Sequence, residues 1–169
     1  DALPISGRDA CAAITSFAGE TMGTSWSLHA VSPPAGTMAG VQAAFDLVVA
    51  QMSQWEPESD LSRFNRAPAG EWRRVPAELA HVVSAALEIA AVSGGAFDPC
   101  LGDLTERWGF GSTGPVNAVP ADGEGAARSI EWDAGASRLR RGEGAFLDLS
   151  GIAKGYGVDL AAEWLLGNG

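Results

Sequence analysis

One segment of this chain has residue types and spacing suited to chemistry: Asp148-Leu149-Ser150-Gly151-Ile152-Ala153-Lys154-Gly155-Tyr156. A hydrophobic run ends there, two glycines bracket a lysine, and a helical pattern follows. Helix N-termini present unpaired N–H groups and a partial positive charge, which suits phosphate. The lysine adds a full charge, and glycines let backbone approach a ligand closely. Lys154 is the sole lysine, against ten arginines. The segment is not a P-loop, which needs Gly before the lysine and Ser or Thr after it; here Ala153 precedes and Gly155 follows. Local sequence leaves a solvated lysine in an ordinary turn equally open.

The other chemical signals are weaker. Trp55 sits in a polar turn beside Glu56, Glu58 and Asp60. It reads either as a half-packed surface residue or as a stacking platform for a flat ring. Gly109-Phe110-Gly111-Ser112-Thr113-Gly114 matches GxGxxG in form. It follows a helical pattern and not a strand, so the dinucleotide-fold context fails. His29 and His81 have no partner at catalytic spacing and read as surface residues. Cys11 and Cys100 are too few for a disulfide framework, and no Cys/His cluster suggests zinc.

Elements that must position these groups follow from periodicity and turn chemistry. Ile14–Phe17 reads as a short strand. Thr24–Val31 alternates, with Trp26, Leu28 and Ala30 on one face and Ser25, Ser27 and His29 on the other. Thr37 is the expected N-cap of a helix to about Ser53, with Met38, Val41, Phe45, Val48 and Met52 as its buried stripe. Leu61–Asn65 suggests a helical turn and Pro68–Arg74 a loop. Pro76 starts a helix that buries Leu79, Val82, Val83, Ala86 and Ala90 and ends at Ser93-Gly94-Gly95. Asp98-Pro99 starts a short helix through Leu101, Leu104 and Trp108, and 109–125 reads as a long loop. Ser129–Trp132 reads as a strand, Arg138–Arg141 with Ala145–Leu149 as a hairpin, and Tyr156–Leu166 as a final helix. Val158, Leu160, Ala161, Trp164 and Leu165 are its burial candidates. The mixture is α+β.

Composition sets the outer bounds. A chain of 169 residues, 46% hydrophobic and 19% charged, predicts one globular domain. Residues 1–13 read as a loose leader and 14–169 as the domain. A net charge of −10 disfavours general nucleic-acid binding. No stretch approaches the ~20 apolar residues of a transmembrane helix.

Five segments, taken together and in order, carry a resemblance. They are Gly19-Glu20-Thr21-Met22-Gly23-Thr24-Ser25-Trp26, Met52-Ser53-Gln54-Trp55 with Ser59–Asn65, Ser93-Gly94-Gly95-Ala96-Phe97-Asp98-Pro99, Trp108-Gly109-Phe110-Gly111, and Asp148–Gly155 with Asp159. In that order and spacing the chain resembles the N-terminal half of the ApbE family, the FAD:protein FMN transferases. The resemblance implies an ApbE-like, T-fold-like α+β domain. It also implies a Mg²⁺-dependent enzyme that splits the FAD pyrophosphate, passes FMN to a threonine hydroxyl of an acceptor redox protein and releases AMP. By the same resemblance Met22, Trp55, Ala96, Phe97, Asp98, Gly151 and Lys154 would contact FAD, and Ala153 would offer its carbonyl to Mg²⁺. Family members run to roughly twice this length, so the expectation is a fragment, with a split or degenerate member as the alternative, lacking the catalytic residues and the acidic metal ligands, and inactive alone. FAD hydrolysis to FMN and AMP, or non-catalytic flavin binding, are the alternatives. The resemblance also implies a periplasmic location, with a lipid anchor in the precursor as an option.

Overall fold

The computed structural model describes residues 13–102 and 129–169. The expected leader, the short helix through Leu104 and Trp108, the loop at 109–125 and Cys11 lie outside them. Nine elements are described: β1 (Ile14–Thr21), β2 (Thr24–Val31), α1 (Thr37–Met52), α2 (Asp60–Arg66), β3 (Arg73–Arg74), α3 (Ala77–Val92), β4 (Ile130–Asp133), β5 (Arg138–Arg141) and α4 (Ala153–Asn168). The mixture is α+β.

β1 and β2 form an antiparallel hairpin in register from Ile14↔Val31 to Thr21↔Thr24. β1 is therefore longer than its apolar start suggests. Only Met22 and Gly23 connect the strands, with φ of +48° and +69°. Two-residue hairpin turns with positive φ at both positions match the twist of the strands. Glycine takes that conformation freely, whereas for methionine it is strained. Trp26, Leu28 and Ala30 are half-buried while Ser25, Ser27 and His29 are exposed, as the alternation requires.

α1 buries Thr37, Val41, Phe45, Val48 and Met52. The stripe thus starts one residue earlier than expected: Met38 is 42% exposed. The residue four before Val41 is Thr37, and a one-residue step turns the side chain about 100° away. The N-cap is Gly36, in the left-handed region at φ +82°, and Thr37 Oγ1 instead donates to the Pro34 carbonyl at 2.7 Å.

α4 begins at Ala153, three residues before the apolar pattern begins. Its buried face is Ala153, Gly157 and Ala161, while Val158 is 60% exposed. These small residues recur every four positions, so α4 approaches α1 closely. Met22 and Phe45 lie over Gly157, and the Trp164 indole lies over Gly40, where a Cβ would come within 2.0 Å of the ring.

The expected pairing of Arg138–Arg141 with Ala145–Leu149 is not formed. β5 pairs antiparallel with β4 on one side and β3 on the other, so both its edges are taken. The Pro68–Arg74 segment accordingly ends in a strand. Residues 145–149 instead run extended through the core, where Ala145, Leu147 and Leu149 are buried against Leu61, Phe64, Leu79 and Val83. α3 ends as its sequence predicts, with Gly94 and Gly95 at φ +62° and +85°.

Candidate functional site

The N-terminus of α4, the C-terminal end of α1 and the tip of the β1–β2 hairpin enclose a cleft of about 370 Å³. Met22, Trp55, Ala153 and Lys154, distant in sequence, all line it, with Val48, Val49, Met52, Ser53, Gln54, Glu56 and Ser150. Its volume is at the lower end of the range for small-molecule sites.

Each wall has a physical support. Trp55 is 61% exposed, so packing does not fix it. Its backbone is fixed instead: Ser53 Oγ accepts from the N–H groups of Trp55 and Glu56 at 3.1 and 3.2 Å. The Ser53 carbonyl in turn accepts from Ser59 Oγ at 2.5 Å and Ser62 Oγ at 3.1 Å. Ser59 also caps α2 by accepting from Ser62 N at 3.0 Å. Three serines therefore lock the turn that presents the indole.

The lysine wall is held through the core. Ala153 N donates to the Leu149 carbonyl at 2.8 Å, which starts the helix. The N–H groups of Lys154 and Gly155 have no backbone acceptor outside the helix among the described residues. Lys154 is exposed and makes no ion pair among the described residues. Ser150 is tied to Asp148 Oδ1 through its N–H at 2.8 Å and its Oγ at 2.5 Å. Upstream, buried Asn65 exchanges two hydrogen bonds with the Leu147 backbone, at 2.8 and 2.9 Å, and so substitutes for a neighbouring strand.

Ala96, Phe97, Asp98 and Gly151 do not line the cleft itself. They flank the same junction. A Cβ on Gly151 would lie 3.1 Å from the Phe97 ring, and Asp148 N donates to the Pro99 carbonyl at 2.8 Å. The expected helix start at Asp98 is a turn, with Asp98 Oδ1 accepting from Cys100 N at 2.8 Å, and Leu101 pairs in a parallel bridge with Phe146 instead of lying in a helix. Ala96 is exposed, and Phe97 and Asp98 are half-buried.

Sequence reasoning gave no role to Ser53, Ser59, Ser62 or Asn65. A serine just before the apolar run at Leu61 was a visible N-cap signal. Nothing local points from Asn65 to Leu147. Gln51 was also missed. It is buried in α1, yet its Oε1 accepts from Leu79 N at 3.1 Å and its Nε2 donates to Glu78 at 2.9 Å. It caps α3, whose own N-cap residue, Pro76, has no side-chain hydrogen bond to offer. That hydrogen bond is the main reason the Glu78 carboxyl titrates below its ordinary value. Behind the lysine, burial and the charges of Glu78 and Glu163 push the Tyr156 hydroxyl up. His81 packs against Tyr156 at 5.7 Å, and His29 Nδ1 pairs with Ser16 Oγ at 2.9 Å on the hairpin surface. Neither histidine lines the cleft.

Ala153 would supply one carbonyl, and Mg²⁺ requires near-octahedral oxygen ligation. Among the described residues no three His, Cys, Asp or Glu side chains converge. These residues do not by themselves make a magnesium site.

The fold and site define an α+β domain with a cleft that sets an aromatic face against a cationic helix N-terminus. The chain belongs to the ApbE family, which it matches over residues 22–169. It is 30% identical over 181 aligned positions to an FAD:protein FMN transferase of Vibrio cholerae, covering 99% of this chain and 53% of that protein. With an FAD:protein FMN transferase of Haemophilus influenzae the identity is 29%, covering 90% and 49%. The flavinyl transferase ApbE of Pseudomonas stutzeri, in its apo form, superposes with a TM-score of 0.82 at 31% identity, over 93% of this chain and 56% of that one. The flavin transferase ApbE of Vibrio cholerae gives 0.82 at 28% identity, over 92% and 54%. The chain thus spans about half the length of the curated relatives it matches.

Proposed function

We propose that the cleft binds FAD and serves transfer of its FMN half to a threonine hydroxyl of an acceptor protein, with AMP released. The observation that carries this is the convergence of Trp55 and Lys154 on one cleft. The indole offers a face on which an isoalloxazine stacks. The ammonium and the adjoining N–H groups of Lys154 and Gly155 meet the pyrophosphate. In the transfer the threonine oxygen attacks the FMN phosphorus and gives up its hydroxyl proton to solvent, the bond from that phosphorus to the bridging oxygen breaks, and AMP carries the bridging oxygen away. Positioning and neutralisation of charge are what such a step asks of a protein. This chain's part is orientation: Trp55 fixes the ring and Lys154 the phosphates. Ala96, Phe97, Asp98 and Gly151 complete the same proposal as flanking contacts.

Magnesium is the family's Lewis acid in this proposal. The Ala153 carbonyl would be one donor, with the remaining oxygens outside the described residues. The purified 169-residue chain is therefore expected to show no Mg²⁺-dependent FAD turnover; measurable turnover would refute that. A periplasmic site of action belongs to the proposal too, and fractionation of cells making the complete protein checks it.

The test is calorimetric FAD titration of wild type and Lys154→Ala, at fixed Mg²⁺ and salt. Loss of a charge-assisted hydrogen bond of ~1.5–3 kcal/mol predicts about ten- to a hundred-fold weaker binding. Equal affinities would leave Lys154 a solvated turn residue and remove the phosphate contact. Incubating the complete protein with FAD, Mg²⁺ and a threonine-bearing acceptor separates transfer from hydrolysis. Flavin retained on the denatured acceptor means transfer, and free FMN means hydrolysis.

A further inference from the structure

A second groove, of about 420 Å³, runs between α2 and β3 and lies outside the flavin cleft. Its walls carry Arg63, Arg66, Arg73 and Arg74 against one acid, Asp60. Four of the chain's ten arginines thus face one groove in a protein of net charge −10. Its lining also includes buried Phe64 and half-buried Val75, which give it an apolar component.

The groove already shows which chemistry it accepts. Arg63 pairs with Asp60 at 3.0 Å and with Glu58 at 3.5 Å, and Arg73 pairs with Glu71. Arg66 reaches Glu58 only at 4.0 Å. All of these arginine side chains remain about half exposed. Arg74 is exposed, and its side chain makes no ion pair or hydrogen bond among the described residues. Guanidinium groups match carboxylates in planar, two-point geometry, so carboxylates suit this surface. The shape adds a second preference. β3 is the edge strand of its sheet among the described residues, hydrogen-bonded to β5 alone. An open strand edge takes an extended peptide by main-chain pairing, while alternate side chains meet the walls.

Position gives a third. The turn that presents Trp55 and Glu56 to the flavin cleft continues within five residues into Asp60, on the groove wall. An extended chain of that length spans at most ~18 Å. A protein seated in the groove is therefore beside the flavin cleft.

We propose that this groove docks an extended, carboxylate-rich segment of the protein that accepts FMN, laid along the outer edge of β3. This rests on the transferase reading above. The test uses the complete protein and a fluorescein-labelled peptide of about ten residues alternating Glu and Thr, with a Lys/Thr peptide as its counterpart. The acidic peptide is expected to raise fluorescence anisotropy on binding, and to bind more weakly as salt rises. Arg74→Glu should weaken it about fivefold or more, and Arg74→Gln less, because reversal adds repulsion to the loss of attraction. Arg74 is exposed and unpaired, so both variants should melt like wild type. FAD affinity should be unchanged in both, and peptide affinity unchanged in Lys154→Ala. Equal peptide affinity of Arg74→Glu and wild type would overturn the proposal. So would equal binding of the Lys peptide, or displacement by inorganic pyrophosphate at the peptide's own concentration, which would mark a small-anion site. Failure of wild type to bind FAD while the acidic peptide still binds would overturn the flavin reading and leave the groove a carboxylate-binding surface.

Discussion

The cleft at the start of α4 and the arginine groove share the turn at 53–60, yet they are built by opposite means. The cleft rests on buried side chains that hydrogen-bond to backbone, with Gln54 Oε1 in its lining the one buried side-chain N or O atom left without a partner among the described residues. Asn65 is 5% exposed and Ser59 1%, and each spends its side chain on backbone of another segment. The groove rests on exposed arginines whose ion pairs lie in water. Buried hydrogen-bonding groups are costly to leave unmade, whereas exposed ion pairs contribute little. The cleft geometry is therefore hard to alter without unfolding the domain. The charge pattern of the groove can change at little cost in stability, which suits the docking role proposed for it.

The sharpest way to break that contrast is Asn65→Ala. It leaves the buried N–H and carbonyl of Leu147 without partners, at ~1–3 kcal/mol per group. A loss of about 2–5 kcal/mol is expected in urea denaturation. Gly40→Ala comes next, because its methyl meets the Trp164 indole where α1 and α4 touch. Overpacking of this kind costs about 1–3 kcal/mol, and a double-mutant cycle with Trp164→Leu should recover much of it. Ser59→Ala removes an N-cap and the strongest support of the Ser53 carbonyl. It should cost about 1–2 kcal/mol. It should also weaken FAD binding, because the turn bearing Trp55 loosens. An FAD affinity equal to wild type would detach Trp55 from the serine lock.

Arg63→Ala tests the other side of the comparison. Both of its ion pairs are exposed, so the expected loss is within about 1 kcal/mol. A loss as large as that of Asn65→Ala would erase the distinction between the two surfaces. The smallest effect is expected at Glu78. Its carboxyl is held below the ordinary value of 4.5 by the Gln51 hydrogen bond. A lowered folded-state value stabilises the fold above the unfolded carboxylate range. That stabilisation is lost as pH falls through the folded-state value. The stability gap between wild type and Glu78→Gln should therefore be small at neutrality and shrink as pH falls through and below the ordinary carboxylate range. A gap that widens on acidification would reverse the assigned sign.

Much of this architecture was legible in the sequence, because its signals act over a few residues. The alternation of Thr24–Val31, the spacing of Leu79, Val82, Val83 and Ala86, and the paired glycines after α3 encode local geometry directly. The glycine-bracketed lysine marked a helix start for the same reason, and the order of five short motifs carried the family. Tertiary structure decided the rest. Whether Arg138–Arg141 pairs with Ala145–Leu149 depends on who occupies the edges of β5, and β3 and β4 both do. The face that α4 buries was set by how closely α1 can approach Ala153, Gly157 and Ala161, not by the larger Val158. Asn65 finds Leu147, and Trp55 and Lys154 come to share a cleft, only because the intervening chain packs one core beneath them. Turn chemistry and periodicity are properties of neighbouring residues. Pairing between distant segments is a property of the burial they compete for, and no short stretch of sequence contains it.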